Sequence, residues 1–66
     1  MDDLCAKDIR KAAGLSITAA AALAGRSPNT YRLFEANPDA VQPDVRRDCD
    51  GAIAKMRQIA RSKAAA

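Results

Sequence analysis

Apolar positions along this chain recur at helical spacing, and no stretch alternates as a strand would. Leu4, Cys5, Ile9, Ala12 and Ala13 share one face of an expected helix over residues 3–13, with Lys7, Asp8, Arg10 and Lys11 directed mostly outward. Gly14 ends that helix, and basic residues precede it where they complement the helix dipole. Leu15 follows as an apolar residue ahead of Ser16, an N-cap whose hydroxyl can accept from the free N–H groups of a first turn. Residues 17–24 then read as a short helix with five alanines, stopped at Gly25 by a left-handed turn. Ser27 caps the next helix and Pro28 takes its first position, where a missing N–H is no loss.

That third helix runs to about residue 36. Tyr31 and Phe34 face inward, and Asn29, Arg32, Thr30 and Leu33 lie toward the other side. Asn37-Pro38 breaks it, and residues 39–42 form a polar linker. A last helix is expected from about residue 43 to 62. On it Val45, Cys49, Ala52, Met56 and Ile59 recur at spacings of four and three, a seam that serves either the domain's own core or a copy across a dimer axis. The predicted fold is all-α: a small domain of four to five helices over residues 1–63, with a long C-terminal helix and a frayed end at 64–66.

Composition tempers the size of the core. The chain has 66 residues and is 48% hydrophobic, but sixteen of those residues are alanine, so few large side chains are available to offset chain entropy. Two cysteines without a CxxC pair, and no histidine, do not make a zinc site. Cys5 and Cys49 both fall on apolar faces and read as reduced core residues, with a disulfide between them the lesser alternative. No long apolar run suggests a membrane span, and an acidic N-terminus (Asp2, Asp3) does not suit a signal peptide, so a cytoplasmic location is expected. The net charge of +3 permits nucleic acid without requiring it. In the last helix the acids Asp44, Asp48 and Asp50 lie in the first half, while Lys55, Arg57, Arg61 and Lys63 make the second half basic.

Helix, glycine turn and capped helix form a helix-turn-helix, whose second helix can present side chains to base edges in a DNA major groove. Asn29 suits the N6/N7 edge of adenine, and Arg32 either the O6/N7 edge of guanine or a phosphate. Leu33 can meet a thymine methyl. Arg26 and Ser27 at the turn, with Ser16 and Thr18 at the preceding helix start, are better placed for the backbone, and Thr30 completes the candidate set. Duplex DNA and a second copy of the chain are the expected partners. No catalytic group, cofactor, metal or small-molecule ligand is expected.

Ala13-Gly14-Leu15-Ser16, Ala21, Leu23-Ala24-Gly25, Ser27 and Thr30 to Glu35 resemble the lambda-repressor/Cro (XRE-type) helix-turn-helix family of small phage and bacterial repressors. The match covers residues 9–36, with Ala21 at the small position four before the turn glycine and Tyr31 and Phe34 at the apolar positions six and nine after it. The resemblance implies a five-helix domain, usually a homodimer on a palindromic operator, without cofactor or catalysis. The small chain resembles the autoregulating repressors of phages and mobile elements, including those beside anti-CRISPR genes. Three departures thin the phosphate contacts the family makes: Ile17 replaces a common glutamine, Arg26 an apolar residue, and Asn37-Pro38-Asp39 a basic loop. The competing expectation is a helical protein-interaction module, antitoxin-like or an adaptor, that presents the seam over residues 45–59.

Overall fold

The computed structural model describes residues 5–65. It is all-α: α1 (Ala6–Ala12), α2 (Ile17–Ala24), α3 (Pro28–Ala36), a 3₁₀ turn (Pro38–Ala40) and the long α4 (Pro43–Ala65). The 3₁₀ turn occupies part of the expected linker. Helix α1 begins at Ala6, with Cys5 as its N-cap, and the remainder of its expected start lies outside the described residues. At the other end α4 stays helical through Ala65, beyond the expected stop near residue 62.

Two turns of the same design set the helix directions. After α1, Gly14 takes φ 74°, its N–H bonds the Lys11 carbonyl at 3.0 Å, and the Leu15 N–H reaches the Arg10 carbonyl at 3.1 Å. After α2, Gly25 takes φ 69°, with matching bonds from Gly25 to Ala22 (3.1 Å) and from Arg26 to Ala21 (3.0 Å). This Schellman arrangement satisfies the last carbonyls of each helix and needs a residue that enters the left-handed region at little cost. The caps are formed as the residue types suggest. Ser16 Oγ accepts from the Ala19 N–H at 3.1 Å, and Ser27 Oγ accepts from the Thr30 N–H at 3.2 Å.

The core gathers Ile9, Ala13, Ala20, Ala21, Ala24, Tyr31, Phe34, Cys49, Ala52 and Met56. Half of these are alanine, so helix axes can approach closely, and α2 packs against both α3 and α4 while α1 lies on α4. Tyr31 and Phe34 make a tilted aromatic pair with centroids 5.9 Å apart. Leu15, Val41, Val45, Ile53 and Ile59 pack around this centre as half-buried residues.

Two expected core placements and one expected surface placement are corrected. Ala12 is exposed, at the open edge of the α1–α4 contact. Cys5 is also exposed, because it precedes the helix instead of joining its apolar face; its thiol donates to Asp8 Oδ2 at 3.2 Å. Arg10 is not an outward solvated residue: its side chain is only 12% exposed. Cys49 is in the core, where burial raises its thiol pKa, and both cysteines are free.

Gly51 sits inside α4 on the solvent side, and a Cβ built there meets no atom within 4 Å. Gly51→Ala is therefore expected to stabilise the fold by about 0.5–1 kcal/mol, since alanine restricts the unfolded chain and favours the helix. A urea midpoint that fails to rise in this variant would contradict the open placement.

Candidate nucleic-acid interface

Helix α3 is divided lengthwise. Tyr31 and Phe34 point into the core, at 0% and 3% exposure, while Asn29, Arg32 and Leu33 stand in solvent. Leu33 is 63% exposed, the one large apolar side chain so open among the described residues. Steps of about 100° per residue put Asn29 on the crest, opposite the buried pair Tyr31 and Phe34, with Leu33 about 40° to one side of it and Arg32 about 60° to the other; Arg32 shares a groove with Lys7 and Arg10 of α1. Thr30 turns the other way. It lines a shallow groove with Leu33, Ala40, Val41, Gln42 and Val45.

The remaining candidates divide by what already occupies them. Ser16 and Ser27 spend their hydroxyl lone pairs on capping, and Ser27 also donates to Thr30 Oγ1 at 2.9 Å, so the Thr30 hydroxyl is engaged locally. Thr18 is exposed on the first turn of α2. Arg26, expected at the DNA backbone, is tied to α4 in the structure: its guanidinium donates from Nε (3.1 Å) and Nη2 (2.7 Å) to Asp48 Oδ2, and Nη2 lies 3.5 Å from Asp44. The hydrogen bond to Asp48 raises the Arg26 pKa further, with the Asp44 and Asp48 charges acting in the same direction. Asp44 and Asp48 are one turn apart on the start of α4, and the fold sets that turn against the α2–α3 corner. Arg26 thus holds the motif to the rest of the domain.

A second polar link, unforeseen in the sequence, braces the other side. Arg10 Nε donates to Glu35 Oε2 at 2.7 Å, and Arg10 Nη1 donates to the Leu15 carbonyl at 2.9 Å. One guanidinium therefore joins α1, the segment entering α2, and the last turn of α3. The Glu35 side chain is 9% exposed, and the neighbouring Tyr31 hydroxyl is buried without a hydrogen-bond partner among the described residues. Burial, and after it the Glu35 carboxylate, raises the Tyr31 pKa well above the usual phenol value. These two links brace both flanks of the exposed α3 face.

The expected dimer seam on α4 is largely consumed by the protomer. Cys49, Ala52 and Met56 are at most 1% exposed within their own core, and only Val45 and Ile59, both half-buried, retain surface a second copy could reach. Four-three spacing marks an apolar stripe but not what covers it, and here α1, α2 and α3 cover it. Among the described residues, no group of three or more His, Cys, Asp and Glu side chains is placed to hold a metal ion, and no helix is long and apolar enough to cross a membrane. Comparison with protein-family models, curated proteins and solved structures finds no match for this chain.

Proposed function

We propose that this chain is a sequence-specific double-stranded DNA-binding transcriptional regulator, a repressor that acts as a homodimer on an inverted-repeat operator with α3 in the major groove. The observation that carries the reading is the two-sided α3. Its aromatic side is locked in the core, and its exposed face offers Asn29, Arg32 and Leu33 from a helix capped by Ser27 and aimed by the Gly25 turn. A helix about 10–12 Å across fits a major groove about 12 Å wide. The resemblance of residues 9–36 to the lambda-repressor/Cro family supports the same reading. An adaptor binding partners through residues 45–59 has less support, because the centre of that stripe lies in the core.

Asn29 is assigned the base-reading role at the crest, with Leu33 beside it for a thymine methyl. Selection from a randomised duplex library should enrich one inverted repeat. Asn29→Ala should weaken binding to it by about 1–3 kcal/mol, losing discrimination at one base pair per half-site while leaving affinity for unrelated duplex unchanged. A wild-type chain that retains no duplex at 50 mM salt would sink the proposal.

A further inference from the structure

A groove of about 290 Å³ between α1 and α3 is lined by Lys7, Arg10, Arg32, Glu35 and Ala36. Two of its four charges neutralise each other, since Arg10 and Glu35 are paired at 2.7 Å. Lys7 and Arg32 are exposed and have no ion-pair partner among the described residues. Glu35 stands three residues after Arg32 on the same helix, within ordinary reach of a side-chain pair. Its capture by Arg10 leaves the Arg32 guanidinium available. Among the described residues, the groove therefore carries two cations without an ion-pair partner, one from each helix, on the flank of the exposed α3 face.

We propose that Lys7 and Arg32 together grip one phosphate of the DNA strand bordering the major groove that α3 enters, so that Arg32 is a backbone contact and not a base reader. The assignment rests on the DNA-binding reading of α3 and sharpens it. Arg32 lies about 60° round α3 from Asn29, on the side that shares a groove with Lys7 of α1, where a wall of the major groove can meet an inserted helix. A guanidinium grips phosphate oxygens in bidentate fashion, and the lysine ammonium adds a point charge from the opposite side. Lys7 would restore phosphate anchoring where Ile17, Arg26 and the 37–39 segment supply little. The Arg10–Glu35 pair acts as a positioning element by fixing the distance between the two helices.

The test uses the full chain as wild type, Lys7→Ala, Arg32→Ala and the double variant, each confirmed folded by circular dichroism. Affinity for the selected repeat and for an unrelated duplex of equal length is measured across a salt series. Each single variant should weaken both duplexes by the same factor and select the same consensus as wild type. A shared phosphate lowers the log–log salt slope by about 0.9 per protomer in the double variant, and not by twice that. The clamp is overturned if Arg32→Ala relaxes one base position, or if Lys7→Ala leaves affinity and slope unchanged. Wild type failing to bind any duplex overturns the proposed function itself, whereas normal wild-type binding with either of those variant results removes the clamp alone.

Discussion

Met56→Asp is expected to leave no cooperatively folded domain at 25 °C. Met56 is 0% exposed and among the largest fully buried side chains, in the core with Cys49, Tyr31 and Phe34. Truncating a buried Met to Ala costs about 2–5 kcal/mol, and an aspartate in the same place adds the burial of a carboxylate with no partner. A chain of this length has on the order of 3–10 kcal/mol of stability in total. Met56→Leu, which conserves volume, should cost less than about 1.5 kcal/mol and provides the control. Urea unfolding followed at 222 nm separates the possibilities. A Met56→Asp chain that keeps its helix signal and a sharp transition, losing only self-association, would mean the 45–59 stripe serves a partner after all.

Arg10→Ala should destabilise the fold by about 3 kcal/mol, far more than loss of a surface ion pair. The pair it breaks is mostly buried, and the variant leaves the Glu35 carboxylate, at 9% exposure, without its guanidinium partner. Removing one member of a buried pair typically costs about 3–5 kcal/mol, and the residual exposure here argues for the lower end. The same change also removes the bond to the Leu15 carbonyl at the entry to α2. Exposed pairs provide the contrast: Arg46 and Asp39 are 2.6 Å apart but 49% and 84% exposed, and breaking them should cost less than about 1 kcal/mol. Replacing both Arg10 and Glu35 by apolar residues of similar volume should recover much of the loss. Additive destabilisation in that double variant would show that the two side chains contribute separately, not as a pair.

Much of the architecture is legible in local chemistry. Gly14, Ser16, Gly25 and Ser27 act within their own turns, through hydrogen bonds that span three to five residues, and Pro28 acts through its fixed φ at the helix start, so residue type and spacing suffice to place them. The inward aromatics of α3 follow from helical period in the same way. Cys5 and Ala12 were less legible because they sit at the margin of α1, where a shift of one residue in the helix start or a change in the covering helix reverses exposure.

The polar network lies beyond such reading. Arg10 and Glu35 are 25 residues apart, and Arg26 and Asp48 are 22 apart, so nothing in local spacing distinguishes them from solvated charges. Their pairing bears on the candidate interface: Arg26 is tied to Asp48 of α4, Glu35 is held by Arg10, and Lys7 shares a groove with Arg32 from a helix outside the motif.

The helix-turn-helix grammar at residues 15–36 was thus determined by the sequence alone, because capping, left-handed glycine and helical period are local properties of the chain. Which charges remain free on its surface, and which apolar stripe is spent in the core, were decided only by tertiary structure. Both depend on what the packing of α1 and α4 brings near, and burial and ion pairing are set by neighbours distant in sequence.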